Sequence, residues 1–149
     1  MKPEMPNWPI ADLKAFLSGG WRIDRSLIDR RNAIAGKMLG DAHFSATGDT
    51  LLYRERGTLT FGAHQGSAEQ VYRFEFPEGN ARASVYFDDG REFHQLDLTL
   101  GHLSVSHACG PDLYEGRFTS LDDERWQSVW TVTGPRKDQS ILTLYSKIR

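Results

Sequence analysis

The 149-residue chain has one cysteine, Cys109, so it has no internal disulfide, and its composition suits a reduced, cytoplasmic compartment. Its N-terminal stretch MKPEMPNWPIADLKAFL lacks the apolar run of a signal peptide or membrane helix, so no membrane partner is expected. Neither sign of charge is in excess. With 18 Lys plus Arg against 20 Asp plus Glu, the net charge is −2, and the basic stripe of a nucleic-acid binder is missing. Repeats, low-complexity tracts and linker-like shifts are also missing, so one domain spanning 1–149 is expected; nothing in the pattern specifies an oligomeric state. Val and Ile are scarce. Aromatic rings are not: 8 Phe, 5 Tyr and 4 Trp supply much of the apolar inventory, which with glycine is large enough to exclude a disordered chain.

Only the start reads as helix. Pro9 suits a first turn, Ile10, Leu13, Phe16 and Leu17 recur at helical spacing, and Gly19-Gly20 is the stop, which predicts one short amphipathic helix over 10–18. From Trp21 onward the period changes to two, and about ten short segments alternate with Gly, Asp, Asn or Pro signals. That pattern is all-β and antiparallel.

Tight turns then fix which residues face each other. A two-residue loop at Gly48-Asp49 pairs Ala46 with Leu51, Phe44 with Tyr53, Ala42 with Glu55, Gly40 with Gly57 and Met38 with Leu59. A type I′ turn at Asp89-Gly90 pairs Phe87 with Glu92, Val85 with His94 and Ala83 with Leu96. A turn at Leu100-Gly101 sets Leu98 against Leu103, Leu96 against Val105 and His94 against His107. A longer loop through Asp122-Asp123 sets Phe118 against Trp126 and Tyr114 against Trp130; the turn at Gly134-Pro135 sets Trp130 against Leu144 and Val132 against Leu142. Consecutive hairpins sharing one inner face predict a closed antiparallel up-and-down β-barrel of eight to ten strands, capped at one mouth by the helix, since an open sheet would expose two edges.

Gly19-Gly20-Trp21 follows the G-x-W pattern that opens lipocalin-like (calycin) barrels, and Lys147-Ile148-Arg149 stands where that class places a basic residue against the tryptophan. The stretches Phe87–His94, His107–Tyr114 and Gly134–Asp138 resemble those of an uncharacterised family, a domain of unknown function, of small bacterial lipocalin-like barrels. The resemblance implies a fold and no activity. The final strand, Ile141 to Lys147, lacks the Arg-x-Tyr pair of fatty-acid-binding barrels; the last histidine is His107, whereas haem-binding ten-strand barrels of the nitrobindin type carry theirs near the C-terminus.

Inward polar residues are the anomaly in an apolar lumen, because burying them costs free energy unless they are paired or serve a ligand. They are Arg25, Glu55, His94 and His107, with Tyr53, Tyr72, Cys109 and Tyr114 beside them. Arg25 and Glu55 form either a structural ion pair or a clamp for a carboxylate or phosphate. His94 and His107 are either packed core rings or an acid–base pair assisted by Glu55 or by Cys109 as nucleophile. Two histidines and one cysteine fall short of a zinc site, so no metal is expected; no cofactor motif is present. Asp112 is an Asx-turn residue or orients a histidine, and Arg91, Arg136 and Lys137 are solvated hairpin tips or an electropositive collar for an anion. Phe44, Tyr53, Tyr72, Phe74, Phe87, Tyr114, Phe118, Trp126 and Trp130, with Tyr145 left open, map to the inner wall.

Three functions stay open at this level. The first is binding of a small anionic or aromatic molecule in the barrel, with Arg25, Tyr53, Tyr72, His94, His107 and Tyr114 as polar contacts. The second is a small isomerase, cyclase or hydrolase built on His94 and His107. The third is a structural or interaction domain with a filled lumen.

Overall fold

The computed structural model describes residues 7–149. A short helix α1 (Leu13–Leu17) precedes ten strands: β1 (Gly19–Asp29), β2 (Ile34–Thr47), β3 (Thr50–Phe61), β4 (His64–Glu75), β5 (Arg82–Phe87), β6 (Glu92–Asp97), β7 (His102–Cys109), β8 (Asp112–Ser120), β9 (Arg125–Thr133) and β10 (Asp138–Lys147). All neighbours are antiparallel, in the order β6-β5-β4-β3-β2-β1-β10-β9-β8-β7. The first strand pairs with the last, and the up-and-down sheet curls into a nearly closed barrel that stops at β6 and β7.

The helix is shorter than the periodicity predicts. Asp12 caps it by accepting from the Ala15 N–H at 3.0 Å, and Trp8 to Ile10 are held outside the helix, with Trp8 N–H bonded to the Ser120 carbonyl and Ile10 N–H to that of Leu98. Those main-chain bonds outcompete a further helical turn. Leu13 and Leu17 are fully buried and close one end of the barrel, over Trp21, Phe44, Leu51, Leu96 and Leu98. Trp21 donates from Nε1 to the Leu17 carbonyl at 2.7 Å. The Lys147 ammonium stands 4.6 Å from the Trp21 ring centroid and also donates to the Ser18 carbonyl, so the basic residue implied by the lipocalin-like resemblance is Lys147.

The registers of β2 with β3 are those the Gly48-Asp49 turn dictates, including Ala42 with Glu55 and Phe44 with Tyr53. Elsewhere loop lengths decide differently. Phe87 N–H bonds the Arg91 carbonyl, so the β5–β6 loop has three residues, Asp88-Asp89-Gly90, with Gly90 at φ +91°, and Tyr86 rather than Phe87 pairs with Glu92. An extra residue in β6, Phe93, then restores Val85 with His94 and Ala83 with Leu96. The bulge turns Phe93 toward the lumen.

Two other hairpins slip. Ser120 pairs with Trp126 and Gly116 with Trp130, a two-residue shift that keeps every side chain on its expected face. The four-residue loop Gly134–Lys137 makes Thr133 pair with Asp138, so Trp130 faces Ile141, and Ile141, Thr143 and Tyr145 point inward while Leu142 lies exposed. The expected pairing of Trp130 with Leu144 and of Val132 with Leu142 is therefore corrected by an odd rather than even register.

The largest correction concerns β6 and β7. No ladder joins them, so His94 and His107 are not cross-strand partners; His94 pairs with Val85 and His107 with Tyr114. The segment Trp8–Ile10 takes the Leu98 and Ser120 carbonyls at the base of this seam. No helix among the described residues is long and apolar enough to cross a membrane.

Candidate functional site

Above the helix-capped end the lumen is not filled. A cavity of about 290 Å³ lies between inward residues of nine strands, from Arg25 on β1 to Tyr145 on β10. Its wall is aromatic: Tyr53, Tyr72 and Phe74 on one side, Phe118, Trp126 and Trp130 on the other, with Phe93 between. Trp126 and Tyr145 stack at 3.8 Å with planes 5° apart.

A polar plate forms part of the wall. Arg25 grips Glu55 with both ends of its fork, Nη1 to Oε2 at 2.6 Å and Nη2 to Oε1 at 3.0 Å. Its remaining donors go to Thr143 Oγ1 at 2.8 Å, Met38 Sδ at 3.2 Å and the Tyr145 hydroxyl at 3.4 Å. All five guanidinium N–H groups are thus engaged. Tyr53 donates to Glu55 Oε1 at 2.5 Å; its oxygen then accepts from Tyr145, 3.2 Å away. Burial works against the Arg25 charge, but the Glu55 hydrogen bond and the surrounding negative potential outweigh it and raise its pKa. Burial pushes the Tyr53 and Tyr145 hydroxyls up, and Tyr72 too, with the Glu55 charge adding to it, so these phenols stay protonated. Of the two roles open for Arg25, the geometry supplies the ion pair. An anion would have to displace Glu55 to reach the fork.

His94 is buried, and burial pushes its pKa down to about 4, with His107 adding to the effect and the Gln95 carbonyl opposing it. Nδ1 lies 2.8 Å from that carbonyl, which can only accept, so Nδ1 carries the proton and Nε2 is left as an acceptor. Such a ring accepts a hydrogen bond well and shuttles protons poorly near neutrality. Tyr72 and Ser128, which also line the cavity, stand outside the Arg25–Glu55 network.

Of the residues singled out in the sequence as site candidates, the lumen brings together Arg25, Tyr53, Glu55, Tyr72, His94 and Trp130, and of the further inner-wall rings it takes Phe74, Phe118, Trp126 and Tyr145. The others lie away from it. Tyr114 and Phe87 flank His107, at ring distances of 6.3 and 6.0 Å. Cys109 is exposed at the β7–β8 hairpin, where it pairs with Asp112 instead of reaching the lumen beside the histidines. Asp112 holds Lys137 at 3.2 Å, which raises the Lys137 pKa; Arg136 is exposed; Arg91 is tied to Asp89 at 2.7 Å and lies over the Phe87 ring. The collar is largely spent on its own carboxylates. Sequence reasoning missed Phe93, Ser128 and Thr143: a bulge turns Phe93 inward and the length of the Gly134–Lys137 loop turns Thr143 inward, whereas Ser128 was already implied by the alternation of Trp126 and Trp130.

Trp130 reaches across the lumen because its β8 partner is Gly116. A Cβ there would stand 2.7 Å from the indole. The ring then stacks on Phe93 at 5.0 Å and meets His94 edge-on at 5.4 Å.

The fold is similar to that of the S-type phycobiliprotein lyase CPES from Guillardia theta, at 8% identity and a TM-score of 0.61, over 91% of this chain and 90% of that one. It is also similar to a protein of unknown function from the DUF3598 family of Nostoc punctiforme PCC 73102, at 12% identity and a TM-score of 0.61, over 94% of this chain but 50% of that one, so this chain spans half its length. At such identities the likeness is one of fold. No curated protein matches. A model of a family of unknown function matches residues 17–147.

Proposed function

The chain belongs to that family, DUF6314, which carries a fold and no activity, and from the lumen itself we propose that the protein binds a small, uncharged, planar aromatic molecule. The observation that carries this reading is a cavity of about 290 Å³, near the lower size of ligand pockets, walled by aromatic rings and offering unspent polar groups. Tyr72 and Ser128 offer hydroxyls and His94 offers Nε2, a set that suits a ligand with one donor and one or two acceptors at its edge. The saturation of Arg25 favours the aromatic over the anionic alternative. The buried, neutral character of His94 favours a binding role over acid–base chemistry. The free, exposed Cys109 accords with a reducing, cytoplasmic location.

The test compares two dyes, neutral Nile red and the sulfonate 8-anilinonaphthalene-1-sulfonate, by fluorescence titration. Nile red is expected to bind once per chain and more tightly than the sulfonate, and Ser128→Phe, which fills the lumen, is expected to abolish binding in a barrel that remains folded by circular dichroism. Failure of the wild type to bind Nile red, or undiminished binding by a folded Ser128→Phe variant, sinks the proposal.

A further inference from the structure

The open seam between β6 and β7 has a groove of its own, lined by Glu92, Phe93, His94 and Gln95 from one edge and by Val105, Ser106 and His107 from the other. Both strands face it with main-chain groups that no ladder pairs. Among the described residues, only Phe93 and His94 line both this groove and the lumen cavity. They are consecutive residues, and in a regular strand one of them would point away; the bulge is what places both in the partition.

The partition is held by ring contacts. Phe93 stacks on Phe87 at 4.4 Å and on Trp130 at 5.0 Å and meets His107 edge-on at 5.5 Å, with no hydrogen bond or ladder to lock it. A stacked phenylalanine can change rotamer for the loss of its ring contacts alone, which costs less than parting two hydrogen-bonded strands. Elsewhere in the wall, lateral passage requires breaking backbone pairs.

Resting on the binding reading above, we propose that the β6–β7 seam is a side entrance and second subsite of the lumen. An elongated ligand passes when Phe93 swings aside, its planar aromatic body settles against Trp130, and its hydrogen-bonding end comes to rest between Gln95, Ser106 and His107.

The experiment staples the seam. In a Cys109→Ser background, Gln95→Cys and Ser106→Cys are bridged with a cleavable bismaleimide, and Nile red association and dissociation are followed by stopped flow. Stapling is expected to slow both by about tenfold or more, with recovery once the linker is cleaved, and Phe93→Ala is expected to speed both in the unstapled protein. By NMR, the His107 ring protons are expected to shift on dye binding. Dye that binds the stapled protein at wild-type rates, or that leaves His107 unmoved, overturns the side entrance or the subsite respectively while leaving lumen binding intact. A wild type that binds no Nile red overturns the lumen reading and the seam with it.

Discussion

Phe93 and Trp130 stack with centroids 5.0 Å apart and planes 19° from parallel, joining β6 to β9 across the one place in the ring where neighbouring strands share no ladder. The contact depends on two backbone features: a one-residue bulge that turns Phe93 inward and a glycine, Gly116, that lets the indole lie over β8. Side-chain packing here replaces backbone pairing as the closure of the barrel.

Phe93→Ala is therefore expected to destabilise the barrel by about 2–3 kcal/mol, less than a fully buried phenylalanine because the ring is half-exposed. Gly116→Ala, whose added carbon collides with Trp130, is expected to cost about 1–3 kcal/mol. Denaturant unfolding of both variants measures this. A Gly116→Ala protein of wild-type stability would show that the indole does not need that space.

Removing one partner of the Arg25–Glu55 pair leaves a buried charge uncompensated. Arg25→Met and Glu55→Leu are each expected to lose about 3–5 kcal/mol, while the double variant carrying both recovers most of it. The double-mutant cycle in urea gives the coupling. Additive losses would mean that the two side chains do not act as a pair.

His94 makes stability pH-dependent with a definite sign. Its folded pKa of about 4 lies below the unfolded value near 6.5, so between those values the unfolded chain binds the extra proton and stability falls as pH is lowered. From pH 7 to 4 this group alone is expected to remove about 3 kcal/mol. Depressed carboxylates such as Asp97 lose their contribution at the acid end as well, so the informative quantity is the difference between wild type and His94→Gln. Equal slopes between pH 6.5 and 4 would show that the ring is not buried neutral.

Tyr72→Phe removes a hydroxyl that stands outside the Arg25 network. It is expected to weaken Nile red binding by about 3- to 10-fold with stability nearly unchanged, the value of one hydrogen bond. An affinity equal to wild type would exclude Tyr72 as a contact.

Much of this barrel is legible in the chain. Wherever a two-residue turn is unambiguous, as at Gly48-Asp49, the alternation on the two flanking strands agrees and the pairing follows, which puts Glu55 on the inner face, and the alternation of Trp21 and Ile23 adds Arg25 to it. Where a loop admits two lengths, the reading fails by whole faces: the Gly134–Lys137 loop brings in Thr143 and Tyr145 in place of Leu142 and Leu144. Phe93 was unreadable for a related reason, since a bulge restores the register behind it and leaves no trace in the periodicity.

The sequence by itself determined an antiparallel barrel with an aromatic interior and with Arg25 and Glu55 turned inward, because alternation and turn chemistry are local and each hairpin reports its own register; that the two form an ion pair came from the structure. Only the tertiary structure decided that β6 and β7 stay apart, that His94 and His107 stand on the two edges of a gap instead of pairing along a ladder, and that Cys109 sits outside. Closing a barrel is a global condition on strand tilt and stagger around the whole ring, and no single hairpin carries that information.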